Sequence, residues 1–202
     1  MTTKFSLWCA AFSALFVALL GAGKVDGTMH QGQSSAENEK VAAGFKEFDD
    51  RVKTYLDLHK SAVSSLPPLK STADPEMISA HQQGLARKIK DVRPHAKRGD
   101  IFSGEAREAF RNVIHEEFRG PHGHRARKTI RQGEPLKTVH LHVNEPYPDG
   151  VPFTTVPPTL LLKFPKLPAQ VAYRIVGRDL ILLDVEADLV IDKIPDIFPE
   201  AV

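Results

Sequence analysis

Residues Tyr173–Val185 read YRIVGRDLILLDV, and this stretch decides the fold. Two apolar runs, Tyr173–Val176 and Leu180–Val185, flank the pair Gly177-Arg178. A two-residue connection with glycine first suits a type II′ turn, whose twist matches that of paired strands. Leu189–Ile194 offers a further short strand, so an antiparallel meander is expected at the end of the chain. Upstream, Leu136–Val143 alternates, with Val139, Leu141 and Val143 on one face and Thr138, His140 and His142 on the other. That period of two predicts another strand. Between them, Pro146–Pro168 is proline-rich with one apolar insert, Leu160-Leu161-Leu162. It is expected to be extended and stiff, wrapping over a surface.

The N-terminal half has a different period. Val41, Phe45, Phe48, Val52, Tyr55, His59, Val63 and Leu66 recur at steps of four and three, an a/d seam along one long helix. Pro67-Pro68 stops it. Asp74 is placed to cap a second helix, Pro75 suits its first turn, and Glu76 favours the positive end of its dipole. Ile78, His81, Leu85, Ile89 and Val92 form its apolar side, and Arg93-Pro94 ends it. After a basic connector from His95 to Gly99, a third helix starts near Ser103. It carries Ala106, Phe110, Val113, Ile114 and Phe118 inward and stops at Gly120-Pro121. The expected fold class is α+β, an N-terminal helical hairpin or three-helix unit followed by a small antiparallel β meander.

Lys4 precedes the uncharged apolar run Phe5–Leu20, and Gly21, Ala22 and Gly23 follow. This is the layout of a secretory signal peptide, here residues 1–23. The alternative is a retained anchor, because the stretch is just long enough to span a bilayer. Residues 24–35 read as a flexible spacer, 36–135 as the helical region, and 136–202 as the proline-rich wrap and β-hairpin region. The expected location is therefore exported, periplasmic or secreted.

The only cysteine is Cys9, inside the leader, so the mature chain can form no disulfide, thiolate zinc site or cysteine nucleophile. Net charge is +2, but its distribution is uneven. Arg87–Arg131 holds thirteen Lys/Arg against six Asp/Glu, whereas Leu136 onward holds six against nine. A basic middle of this kind can bind an anionic envelope surface such as lipid headgroups, or be neutralised within the fold.

Candidate chemistry is sparse. His122-x-His124 and His140-x-His142 each point two imidazoles the same way on extended chain, which can bind zinc, copper or nickel. His122 and His124 lie in a Gly/Pro loop beside Arg125, Arg127 and Lys128, whose charges repel a cation, and neither pair has a third ligand at a recognisable spacing. His59 and His81, on apolar helix sides, are expected to be partly buried and hydrogen-bonded. Asp184-x-Glu186-x-Asp188 puts three carboxylates on one side of an extended strand. The stretch lacks the glycine and distal glutamate of a calcium loop, and reads as a solvated face with Ile181, Leu183 and Val185 inward. The run Arg119–Arg131 has no aromatic within it for base stacking, so nucleic acid is not an expected partner. No GxSxG or glycine-rich phosphate loop occurs, and no catalytic residue, cofactor site or enzymatic activity is expected.

The segments Gly99-Asp100-Ile101-Phe102, Tyr147-Pro148-Asp149-Gly150-Val151-Pro152 and Tyr173–Asp184 together resemble a family of exported bacterial proteins of unknown function. That resemblance implies a signal peptide and carries over no catalytic residue. The tail Leu167–Ile194 is also similar to the C-terminal hairpin of periplasmic nickel/cobalt-homeostasis proteins. The expectation is a non-enzymatic binding or structural module of the bacterial envelope, using the long helix, the basic middle or the proline-rich wrap as contact surface. The alternative is periplasmic metal handling through His122, His124, His140 and His142. A membrane is a partner only if the leader is retained.

Overall fold

The computed structural model describes residues 28–121, 123–131 and 139–198. The first helix, α1, spans Thr28–Ser64. The stretch expected to be a flexible spacer is thus helical from Thr28 onward; the leader and residues 24–27 lie outside the described residues. The correction has a simple cause. Once the buried turns downstream have nucleated a helix, each added residue gains one hydrogen bond and needs no new nucleus.

The seam of α1 keeps strict steps of four and three, but its last turns differ from the expected positions. Ala62 is buried, while Val63 is exposed, so the stripe runs His59, Ala62, Leu66. Helix α2 (Pro75–Val92) starts as its sequence predicts, with Asp74 Oδ1 accepting from the Glu76 amide at 3.0 Å. Its buried side is shorter than expected: Leu85, Ala86 and Ile89 are inside, while Ile78 and Val92 are exposed.

Helix α3 (Gly104–Arg119) buries all five predicted residues, plus Ala109 and Glu117. Ser103 caps it, accepting from the Ala106 amide at 3.2 Å and donating to Glu47 of α1 at 2.6 Å. The α1–α3 crossing is close because Gly44 has no side chain. A Cβ there would lie 2.6 Å from the Glu105 carbonyl oxygen. Phe110 sits at the centre of the core, with ring centroids of Phe48 at 5.0 Å, Phe102 at 5.2 Å and Phe164 at 4.8 Å. These edge-to-face contacts suit the aromatic quadrupole.

A fourth helix, α4 (Gly123–Arg131), occupies the basic run. The loop expected around His124 is therefore helical. Short strand β1 (Glu145–Pro146) precedes a one-turn helix, α5 (Pro158–Leu161), in the proline-rich segment. The meander then follows as β2 (Val171–Val176), β3 (Asp179–Asp184) and β4 (Leu189–Ile194), in the sheet order β1-β4-β3-β2, antiparallel throughout. Gly177 has φ +60°, as the glycine-first turn requires.

The strand expected over Leu136–Val143 is not formed in its described part, Val139–Val143. Its alternation survives in burial, with Leu141 inside and His140 and His142 exposed. Contact with β4 begins only at Asn144, whose amide donates to the Val190 carbonyl at 2.7 Å and whose φ of 65° turns the chain between it and the residues before. The proline-rich segment is extended apart from α5, and Thr154 pairs with Ile175 to cover the open edge of β2.

Helices and proline-rich segment pack on one face of the sheet, against Tyr173, Ile175, Leu180, Leu182, Leu189 and Ile191. The other face buries Val176, Ile181, Leu183 and Val190 beneath Leu141 and Tyr147. This two-sided cover explains why β3 is apolar at successive positions rather than alternating. Among the described residues, no helix is long and apolar enough to cross a membrane.

Candidate functional site

Two polar assemblies stand out, one inside the molecule and one at its surface. The inner one begins on α1, where Tyr55 and His59 lie one turn apart on the buried stripe. Tyr55 Oη donates to Asp184 Oδ2 at 2.6 Å, and His59 Nδ1 meets the same oxygen at 2.6 Å. The other oxygen of Asp184 accepts from the amides of Glu186 at 3.0 Å and Ala187 at 2.9 Å. His59 Nε2 faces Glu186 Oε2 at 3.0 Å. Arg93 lies 5.2 Å above the Tyr55 ring.

An ionised carboxylate only accepts, so a histidine between two carboxylates is best satisfied when both ring nitrogens donate. The hydrogen bond to Asp184 accordingly raises the His59 pKa, and the Glu186 contact adds to the rise against the opposing effect of burial. Burial, reinforced by the Asp184 charge, pushes the Tyr55 hydroxyl upward, so it remains a donor. With both nitrogens engaged, the imidazole offers no lone pair to a substrate. The cluster joins α1 to the β3–β4 turn.

The sequence expectation for Asp184 is overturned here. Asp184 is fully buried rather than on a solvated face, and Val185 is only half-buried. The physical reason is an Asx-type turn: a short acidic side chain folds back onto the amides two and three residues ahead. The spacing Asp184-Val185-Glu186-Ala187 is compatible with that turn, but its partners on α1 are more than a hundred residues away in sequence. Glu186 is partly exposed and Asp188 half-buried, so the three carboxylates share no face.

Asp192 repeats the device. A bulge in the β3–β4 pairing, where Leu182 opposes Asp192 and Leu183 opposes Val190, accompanies its turn into the interior. There it accepts from the amides of Gly99 (2.9 Å), Ile101 (2.7 Å), Phe102 (2.8 Å) and Lys193 (2.7 Å). Burial still raises its pKa, against the lowering effect of those donors. The Gly99–Phe102 segment, singled out by resemblance, is thus a backbone cradle for one carboxylate.

The predicted metal residues fall only partly within the described structure. His122 lies outside the described residues, His124 is exposed on α4, and His140 and His142 are exposed beside the second core cluster. Among the described residues, no group of three or more histidine, cysteine or acidic side chains could hold a metal ion. Of the two histidines expected on apolar helix sides, His59 is buried and bonded as predicted, and His81 is half-buried.

The outer assembly lies between α3, α4 and the end of the sheet. Arg111, His115, Arg119, Arg127 and Arg178 line a cavity of about 420 Å³, together with Ile114, Phe118, Ile197, Phe198 and a single acid, Asp196. Their convergence follows from helix spacing. Arg111, His115 and Arg119 recur every four residues along α3, one turn above another. Arg127 reaches in from α4 over the Phe118 ring, 5.9 Å from its centroid. Arg178, in the β2–β3 turn, donates to the Phe198 carbonyl at 3.0 Å and lies 3.6 Å from Asp196. Arg111 pairs with Glu108 at 2.7 Å. The side chains of His115 and Arg119 have no hydrogen-bond or ion-pair partner among the described residues. The result is a cationic rim over an apolar floor.

Comparison of the chain with family models, curated proteins and solved structures gives no match. A functional reading therefore rests on the geometry of these two assemblies and on the sequence of the leader.

Proposed function

We propose that this is an exported, non-enzymatic binding module of the bacterial envelope that takes an anionic ligand in the cationic pocket between α3 and α4. The observation that carries the reading is the convergence of four arginines and a histidine on one apolar-floored cavity with a single acid in its wall. Arg111 and Arg178 already have Glu108 and Asp196 beside them, whereas Arg119 lines the cavity without an acid among the described residues, and an anion entering there would be drawn to it. Guanidinium groups offer planar, paired donors that fit a phosphate or carboxylate. Ile114, Phe118, Ile197 and Phe198 would meet whatever apolar part the ligand carries.

Of the three contact surfaces considered from sequence, the long helix is largely consumed by the fold. Its seam from Phe48 to Ala62 is buried, whereas the basic middle forms the pocket. The non-enzymatic reading draws support from the His59–Asp184 pair, whose imidazole is fully engaged in structural contacts. Export rests on the leader, residues 1–23.

The test is titration calorimetry with inorganic phosphate, citrate and short-chain phosphatidylglycerol, on the parent and on Arg119→Glu. The first two probes separate a free anion from the third, a lipid headgroup. One charge-assisted hydrogen bond contributes about 1.5–3 kcal/mol, so the variant should bind on the order of tenfold to a hundredfold more weakly. Absence of heat with every probe, or equal affinity of parent and variant, would remove the proposal.

A further inference from the structure

The proline-rich segment places apolar side chains where a soluble fold has no use for them. Leu160, Leu161 and Leu162 follow one another, but only Leu160 is buried. Leu162 is 88% exposed and Leu161 46% exposed. Pro157 and Pro158 begin the single turn of α5, and the Lys163 and Phe164 amides close it onto the Leu160 carbonyl at 2.9 and 3.0 Å. The two leucines are therefore held out by a braced turn. Phe153, 46% exposed, lies nearby along the same segment.

Along the sequence, the charge flanking this tip has one sign. From Val151 to Arg178 the chain carries Lys163, Lys166, Arg174 and Arg178 and no acidic residue. Leu161, Lys166 and Arg174 line one open groove. The Arg174 guanidinium stacks 4.9 Å from the Phe153 ring centroid, which links that ring to the same patch. Two of the four are already engaged: Lys163 pairs with Glu117 at 2.8 Å, and Arg178 lies 3.6 Å from Asp196.

Exposed leucines and a phenylalanine beside the cations Lys166 and Arg174 match the interface of an anionic bilayer. Such side chains enter the acyl boundary while lysine and arginine heads stay among the phosphates. We infer that the Leu161–Leu162 tip, with Phe153, Lys166 and Arg174, is a peripheral docking point for an anionic lipid leaflet. Two leucines and one ring bury too little area for permanent anchoring, so binding is reversible and depends on both apolar contact and charge. The inference uses the exported location proposed above as its setting, but not the α3–α4 pocket. Its failure would leave anion binding there untouched.

The sequence supplies a clean probe, since Trp8 of the leader is the only tryptophan. In the full chain with Trp8→Phe, a Leu162→Trp substitution places a single indole at the tip. Mixed with phosphatidylglycerol vesicles, its emission should shift to the blue and be quenched by bromine-labelled acyl chains. Phosphatidylcholine vesicles should give neither effect, and high salt should weaken both. Adding Lys166→Glu removes one cation and introduces one anion, which should lower partitioning roughly thirtyfold. Arg119→Glu should leave the tip signal in place. An indole that stays in water, whether the chain binds the vesicles elsewhere or not at all, overturns the inference. Equal insertion into both lipids overturns the electrostatic half of it.

Discussion

The interior cluster around Asp184 and the surface tip at Leu162 invert the usual partition of a soluble protein. One buries a carboxylate completely, and the other leaves a leucine almost entirely in water. The polar cluster tolerates burial because the carboxylate, hydroxyl and imidazole at its centre each have a partner. Asp184 receives a hydroxyl, an imidazole and two amides, and Asp192 receives four amides. The apolar tip has no such compensation among the described residues. The polar interior contributes to the fold, and the apolar surface is available for contact with something else.

That contrast can be broken first at Asp184. Asp184→Ala leaves the Tyr55 hydroxyl, the His59 imidazole and two turn amides without their acceptor. The expected loss is about 3–5 kcal/mol in urea unfolding, the range for breaking one side of a buried charged pair. A loss below about 1 kcal/mol would mean that water replaces the carboxylate and that the cluster does not join α1 to the sheet.

Gly44→Ala comes next. The added methyl would lie 2.6 Å from the Glu105 carbonyl and 2.8 Å from the Ala109 Cβ, so α1 and α3 must separate. The expected cost is about 1–3 kcal/mol, despite the better helix propensity of alanine. An unchanged or higher Tm would show that the crossing is not tight.

Proton linkage gives a smaller, signed effect. His59 has a folded pKa raised above its unfolded value, chiefly by the bond to Asp184. The stabilisation is therefore fully present below about pH 6.5, the unfolded value, and is lost as pH rises through the folded value. Urea midpoints should fall across that window in the parent, and the decline should be absent in His59→Gln. A parent that becomes more stable over the same window would contradict a doubly donating imidazolium.

At the surface the stability effect should nearly vanish. Leu162→Gln changes an exposed side chain and should alter unfolding free energy by no more than about 0.5 kcal/mol. A large destabilisation would place Leu162 inside the fold's own packing, making the two regions alike.

Where sequence sufficed and where it did not follows from the range of the interactions. The meander was legible because turn chemistry and strand composition are local: Gly177 and Leu189–Ile194 lie where their residues predict. The same holds for α3 with its Ser103 cap, and for α2 with Asp74. Asp184 was misread because alternation along one strand says nothing about a tyrosine and a histidine arriving from the opposite end of the chain. Val139–Val143 has the period of a strand, but the left-handed Asn144 turns the chain before pairing with β4 begins. The pocket was half visible. The basic excess from Arg87 to Arg131 was countable, while its convergence with Arg178 and Phe198 is a tertiary fact.

The most direct test of this division between polar interior and cationic surface is an amide NMR titration of the full chain with inorganic phosphate. The account predicts saturable shifts concentrated at Arg111–Arg119, Arg127 and Arg178, with Tyr55, His59 and the Asp184 turn unmoved. Shifts centred on His59 and Asp184, or none beyond those caused by ionic strength at the pocket, would contradict it.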